Sequence, residues 1–391
     1  MQTSFEQIGL DKKLVAGLAK AAITIPTPVQ AAVIPEVLQG RDVIGHSATG
    51  TGKTLAYLLP LFQKIESGKR EVQAVVLAPT HELVMQIFRQ AELLAQNSGI
   101  PVAAAAIIGE VNIARQIDKL KEKPHLLIGS AGRLLELIQK RKINAQTIKT
   151  IVLDEADRLL DETNRAAVAA VIKTTQKDRQ LLLFSATIPQ ETLAAAAQWL
   201  REPVHAAIRN DSPLPSGIAH MYFLAEARDK VVVLRKLLAG IQPERALVFV
   251  NTAPAIAETV AKLIFHGVAA AGLHGSANKA ERQAALQDYR DGRVRILVAS
   301  DLAARGLDID GVDNVINLDL PETAQAYLHR AGRTGRAGAT GRVFSIVDKA
   351  EARRIPSLRK SLRISIAEKH LSYGEIVDPA KPGTTGKPAK H

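Results

Sequence analysis

Short, nearly uninterrupted apolar runs alternate with helix-patterned stretches along the whole chain, and this alternation constrains the fold more than any other feature. Asp42–Gly45, Ala74–Ala78, Ala103–Ile108, Leu126–Ile128, Thr150–Leu153 and Leu181–Phe184 form one series of candidate strands. Met221–Leu224, Ala246–Val250, Val294–Ala299, Asn314–Leu318 and Arg342–Val347 form a second. A strand with one wet face alternates polar and apolar residues, whereas a strand covered by helices on both faces does not. Helical patterns such as Leu134–Lys140 and Ala255–His266 supply the right-handed crossovers. The economical solution is an α/β fold of two doubly wound parallel-sheet domains. With 391 residues the chain is also too long for one ordinary core.

The joint between the halves is expected near Asn210–Gly217, where Asp211, Ser212, Pro213, Pro215 and Gly217 cluster with few apolar residues. This divides the chain into a first domain over residues 1–208, a linker over 209–217, a second domain over 218–371 and a basic tail over 372–391. Pro379–His391 holds three prolines, two glycines and three lysines and reads as disordered. From Arg353 onward nine Lys and Arg face three Asp and Glu, half of the chain's whole positive excess. Such a tail is either simply solvated or a nonspecific phosphate-binding arm.

Charge narrows the partners. Against 39 acidic residues stand 51 Lys and Arg, a net +12 that favours a polyanion, either nucleic acid or an acidic membrane surface. The absence of cysteine excludes a disulfide scaffold and thiolate metal sites. Met1–Lys13 carries Glu6 and Asp11 and has no long apolar core, so it does not read as a signal peptide. The uncharged stretch Leu93–Gly109 is broken by Gln96, Asn97, Ser98 and Pro101, so it does not read as a membrane span. A cytoplasmic location is the expectation.

Ser47-Ala48-Thr49-Gly50-Thr51-Gly52-Lys53-Thr54 follows a candidate strand and leads into the helical pattern Leu55–Ile65, the context of a phosphate-binding loop. Its glycines let backbone amides wrap a phosphate at a helix N-terminus. Lys53 is suited to the β- and γ-phosphates, and the Thr54 hydroxyl to Mg2+. Far downstream, Ile151-Val152-Leu153 runs into Asp154-Glu155-Ala156-Asp157. Carboxylates at the end of such a strand reach the same sheet edge as the loop. There Asp154 suits Mg2+ through water and Glu155 suits polarising an attacking water.

Together these segments resemble the DEAD-box ATP-dependent RNA helicases, whose signature is Asp-Glu-Ala-Asp and whose other motifs occur here in order. Ile25-Pro26-Thr27-Pro28-Val29-Gln30 resembles the adenine-recognising Q motif, with Phe5 at its isolated aromatic. Pro79-Thr80-His81-Glu82-Leu83, Gly129-Ser130-Ala131-Gly132-Arg133 and Ser185-Ala186-Thr187 resemble motifs Ia, Ib and III. Val248-Phe249-Val250-Asn251-Thr252 resembles motif IV, and Ala299-Ser300-Asp301 through Arg305-Gly306-Leu307-Asp308 motif V. His329-Arg330-Ala331-Gly332-Arg333-Thr334-Gly335-Arg336 resembles motif VI.

The resemblance implies two tandem RecA-like domains, ATP and Mg2+ as cofactors, and RNA as partner. Nucleotide binding then falls to Phe5, Ile23, Ile25, Gln30, Ser47, Ala48, Thr49, Gly50, Thr51, Gly52, Lys53, Thr54 and Asp308. A glutamine amide such as Gln30 can both donate to and accept from the adenine edge. Phe5 would stack on the base or serve as a core aromatic, readings the sequence leaves equal. Catalysis is implied for Lys53, Asp154, Glu155, Asp157, His329, Arg333 and Arg336, the last two as arginine fingers from the second domain. His329 would link the attacking water, Asp157 and Thr187. Ser185 and Thr187 would couple hydrolysis to RNA. RNA would lie along its backbone on Pro79, Thr80, His81, Gly109, Ser130, Arg133, Asn251, Thr252, Arg282 and Ser300, with little sequence reading. Aromatics are only 4% of the chain, which argues against a base-stacking platform.

Several positions depart from the family pattern. Ser47 replaces a small Ala or Gly, Ser130-Ala131 replaces Thr-Pro, Lys279 replaces a glutamine and Ser300 a threonine. His81 stands at an arginine position and Glu110 at a glycine, and both weaken the first domain's hold on phosphate. Three outputs are compatible with these motifs: a helicase or remodelling ATPase acting as a monomer on RNA or ribonucleoproteins, an ATP-gated RNA clamp with hydrolysis as release timer, and a DNA translocase. The complete set Lys53, Glu155, Arg333 and Arg336 favours the first; the Q motif with Asp154–Asp157 disfavours the last.

Overall fold

The computed structural model describes residues 3–47, 51–109, 111–207, 217–274, 279–304, 311–335, 339–372 and 374–379. Each apolar run of the first series becomes a strand: β1 (Val43–His46), β2 (Ala74–Leu77), β3 (Ala104–Ile107), β4 (Leu126–Gly129), β5 (Thr150–Asp154) and β6 (Gln180–Ser185), followed by β7 (Val204–Ala207). They form one seven-stranded sheet in the order β3-β4-β2-β5-β6-β1-β7. Every pairing in it is parallel.

The strands are apolar on both sides because each side meets its own layer of helices. Val43, Val76, Ile128, Val152, Leu182 and Phe184 face a core shared with Leu14, Val33, Leu58 and Ile87. Their neighbours Ile44, Val75, Leu127, Ile151 and Leu183 face a second core with Leu134, Val168 and Ile172. Burying one such side chain stabilises by about 1.5–3 kcal/mol, which is why the whole strand is hydrophobic.

A second sheet repeats the plan. Its strands are β8 (Ile218–Leu224), β9 (Ala246–Phe249), β10 (Ala270–Leu273), β11 (Ile296–Ala299), β12 (Asn314–Asn317), β13 (Gly341–Val347) and β14 (Ile366–Glu368). The order, β10-β11-β9-β12-β13-β8-β14, is that of the first sheet shifted by seven strands. The chain accordingly divides into two compact units, one around each sheet.

The tail expected from residue 372 does not begin there. His370–Ser372 (β15) and Glu375–Val377 (β16) pair as an antiparallel hairpin. Leu371 and Ile376 pack on the core of the second unit. The hairpin lies so close to the helix Lys230–Ile241 that a Cβ on Gly240 would collide with the Gly374 carbonyl. Two apolar side chains and a tight turn suffice to hold this short segment despite its polar composition. The expected linker and the end of the tail fall largely outside the described residues, as do Asp308 and Arg336. Among the described residues no helix is long and apolar enough to cross a membrane.

Candidate functional site

β1 ends at His46, and the helix Lys53–Lys64 begins after Gly52. Ala48, Thr49 and Gly50 lie outside the described residues. At the loop's base the Ser47 and Thr51 hydroxyls hydrogen-bond at 2.6 Å, and the Lys53 ammonium donates to the Ser47 carbonyl at 2.8 Å. Burial pulls the Lys53 pKa below the ordinary lysine range, opposed by the negative charges of Asp154, Glu155 and Asp157.

Gly52 has φ +92°, a left-handed backbone that a side chain strains. A Cβ there would also approach the Gln30 amide nitrogen to 2.5 Å and the Thr27 hydroxyl to 3.2 Å. Gln30, only 1% exposed, accepts from the Thr27 amide at 2.9 Å and donates to the Gly52 carbonyl at 3.2 Å. It thus straps the start of the helix Pro28–Leu38 to the phosphate loop. Gly52→Ala should cost about 1–3 kcal/mol through strain and displacement of Gln30. The check is thermal unfolding: at roughly 2–4 °C per kcal/mol, an unchanged midpoint would contradict the argument.

Phe5 is 1% exposed and belongs to the first unit's core, so in this conformation its ring has no open face for a base. Ile23 packs against the same core, and Ile25 is half exposed.

β5 delivers Asp154 to the same sheet edge. Its carboxylate accepts from the Tyr57 hydroxyl at 2.8 Å and from the Glu155 amide at 2.9 Å. Burial raises the Asp154 pKa, while the Lys53 charge and these hydrogen bonds oppose the rise. Tyr57, fully buried and also bonded to the Thr54 hydroxyl, has its own pKa raised by burial and by Asp154. Glu155 turns the chain from strand to helix in a left-handed conformation, φ 52°, rare for a residue with a side chain. Its carboxylate lies 3.7 Å from the Arg158 guanidinium. Asp157 accepts from the Ser185 hydroxyl at 2.6 Å and from the Thr187 hydroxyl at 2.9 Å.

The other expected positions of the first unit gather beyond the carboxyl ends of β2, β3 and β4. Thr80 caps the helix His81–Ser98, accepting from the Leu83 amide at 3.2 Å, with Pro79 before it and His81 exposed after it. Ser130 stands at the start of the helix Ala131–Gln139, and Gly109 follows β3. Arg133 donates to the Val111 carbonyl at 3.1 Å and pairs with Glu136. In the second unit Thr252 caps the helix Ala253–Phe265, and Ser300 accepts from the Ala303 amide at 3.3 Å. Arg282 donates to the Ala303 carbonyl at 2.9 Å. Helix N-termini with hydroxyl residues at one sheet edge suit phosphate groups.

His329 lies in the last turn of the helix Ala324–Ala331, and Arg333 follows that helix. Between them sits Arg330, 1% exposed, a residue to which no role attaches in the sequence alone. Its guanidinium bonds both Asp301 oxygens at 2.7 Å, the Asn317 and Asn251 side-chain oxygens, and the Asp319 carbonyl at 2.6 Å. It also lies 4.9 Å from the Phe249 ring centre. This buried hub ties together the segments that carry Asn251, Asp301 and His329. The only signal was four polar residues at the ends of apolar strands, waiting for one cation.

The family profile described as DEAD/DEAH box helicase matches residues 27–196, and that described as helicase conserved C-terminal domain matches residues 229–338. The DEAD-box ATP-dependent RNA helicase CshC of Bacillus cereus is 40% identical over 375 residues, which is 94% of this chain and 95% of that protein. The probable ATP-dependent RNA helicase YfmL of Bacillus subtilis is 41% identical over 353 residues, 90% of this chain and 92% of the relative. Among solved structures, S. cerevisiae Dbp5 bound to RNA and ADP BeF3 superposes with a TM-score of 0.83 at 28% identity, covering 93% of this chain and 95% of that one.

Proposed function

The chain belongs to the DEAD-box family of ATP-dependent RNA helicases, and from that premise we propose that it separates short RNA duplexes or remodels RNA–protein complexes by closing its two units on ATP and RNA. The observation that carries this reading is the connected network Lys53–Asp154–Tyr57 beside Asp157–Ser185–Thr187, which links a phosphate loop to a segment that can sense RNA.

In this reading Lys53 and the loop amides hold the β- and γ-phosphates, and Gln30 and the residues around it hold the adenine. Glu155 takes the proton of the attacking water. Arg333 and Arg336, brought from the second unit, balance charge on the γ-phosphate, while His329 and Asp308 complete the closed site. The Thr54, Tyr57 and Asp154 oxygens are hard donors clustered at the loop, and among the described residues no three His, Cys, Asp or Glu are arranged to hold a metal ion by themselves. That donor set fits Mg2+, which prefers one or two protein oxygens together with phosphates and water. When bound, Mg2+ supplies charge neutralisation for the phosphates; Thr54 and Asp154 would hold it, Asp154 through water.

RNA binding through backbone contacts at helix N-termini makes affinity salt-sensitive and nearly sequence-independent. Closure requires both ligands, so each tightens the other, and hydrolysis reopens the pair. A cytoplasmic monomer serving ribonucleoproteins fits this cycle. A clamp that only grips RNA is the second reading. Repeated ATP-driven release of strands from short duplexes, limited to a single round with a non-hydrolysable analogue, supports the helicase; retention on single strands without strand release supports the clamp.

His81 and Glu110 in place of arginine and glycine predict weak RNA affinity, offset by Lys279 and the basic C-terminal residues. RNA titration should therefore show His81→Arg binding several-fold tighter than wild type, and truncation after Val377 binding several-fold weaker, since one phosphate contact at physiological salt is worth about tenfold or less. Unchanged affinity in both would remove the compensation.

A further inference from the structure

His46 lies just before the eight-residue phosphate-loop segment, at the last position of β1, opposite Ser185 in the parallel register with β6. Its ring nitrogen Nε2 sits 3.0 Å from the Ala186 carbonyl oxygen. A carbonyl only accepts, so Nε2 carries the proton and donates. One residue on, the Ser47 amide donates to the Ser185 carbonyl at 3.2 Å. Ala186 is the peptide between Ser185 and Thr187, whose hydroxyls clasp the two oxygens of Asp157. A second brace therefore ties the loop's entry strand to the turn that presents both hydroxyls. Ordinary strand pairing already provides the Ser47 bond; the His46 bond is a side-chain addition.

We propose that His46 is a positioning residue that transmits the state of the phosphate loop to the Ser185–Thr187 turn, and through it to Asp157. This rests on the ATPase reading above. Without the ring bond the Ala186 peptide can rotate, and the Ser185 and Thr187 hydroxyls no longer meet Asp157 in one fixed geometry. ATP binding should change little, because among the described residues His46 hydrogen-bonds to Ala186 and not to Lys53 or Gln30. What suffers is the rate at which bound ATP is turned over in response to RNA. The ring is exposed, so its removal leaves the core intact.

The test uses the full chain, with His46→Ala and His46→Gln, a uridine oligonucleotide as RNA probe, and steady-state ATP hydrolysis. Losing one hydrogen bond to a backbone acceptor should lower RNA-stimulated kcat about three- to tenfold. The KM for ATP should stay within about twofold of wild type, and glutamine, which keeps a donor, should restore most of the rate. In a Thr187→Ala background His46→Ala should cause little further loss, because the two changes break the same path. A wild-type rate in His46→Ala, an equal loss in both variants, a raised KM with unchanged kcat, or full additivity with Thr187→Ala would each overturn the proposal. If the wild-type protein shows no RNA stimulation, the ATPase reading fails instead. Hydrogen exchange at the Ser185–Thr187 amides of the nucleotide-free protein then still decides: it should be faster in His46→Ala, and equal exchange refutes the brace.

Discussion

Lys53→Ala is expected to reduce ATP turnover at least a hundredfold while leaving the fold intact. The Lys53 ammonium donates to the Ser47 carbonyl and faces three carboxylates, Asp154, Glu155 and Asp157. Removing it takes away the buried cation that faces Asp154 and Asp157, and a triphosphate must then enter against their charge. The repulsion weakens ATP binding, and it falls more heavily on the transition state, where negative charge builds up on the leaving phosphate oxygen, so both ATP affinity and kcat drop. Loss of a single positioned donor to a developing oxyanion typically costs about 100- to 1,000-fold, and a full charge at least as much. Lys53→Arg should not rescue, because the larger planar head cannot take the same place against the Ser47 carbonyl. Steady-state hydrolysis with saturating RNA, alongside ATP binding by calorimetry, checks this. Turnover within tenfold of wild type would mean that Lys53 does not meet the phosphates.

What the sequence made legible depended on how locally each feature is encoded. The buried strands were readable because helices on both faces force a run of apolar residues, as in Thr150–Asp154 or Gln180–Ser185. Val204–Ala207 and Ala270–Leu273 were not legible because their small residues are not joined to consecutive β-branched ones, unlike Ala103–Ile108, whose alanines run into Ile107 and Ile108. Both are edge strands, paired on one side, where composition is least constrained. At the site, the phosphate loop and Asp154–Asp157 stood out since their chemistry allows few residue types at fixed spacing. Tertiary partners did not. Tyr57 meets Asp154 across 97 positions of sequence, and nothing about an aromatic on an apolar helix face announces that bond. Arg330 sat inside a recognised motif yet was hidden by its neighbours, since burial of an arginine is visible only once its acceptors converge. Phe5 shows the converse: the sequence left stacking and packing equal, and the fold encloses the ring.

Glu155→Gln should separate binding from chemistry. The substitution keeps size and the left-handed turn at φ 52°, and the backbone amide that donates to Asp154 is unchanged. Asp154 and Asp157 still face Lys53, so the loop keeps its electrostatic setting. In the proposed role of Glu155, only the proton acceptor for the attacking water is lost, a contribution of about 100- to 10,000-fold in rate. ATP should therefore bind with near wild-type affinity and remain uncleaved. In the proposed cycle ATP and RNA stabilise the same closed state, so each must raise the other's affinity by the same factor. A protein arrested before hydrolysis thus holds RNA, whereas Lys53→Ala, which cannot keep ATP, releases it. The two variants should fall on opposite sides of wild type in RNA residence time with ATP present, and coincide with it when ATP is absent. Rapid hydrolysis by Glu155→Gln would reassign the base; slow hydrolysis without prolonged RNA retention would instead uncouple the nucleotide from the grip, and leave the two units without a reason to be joined.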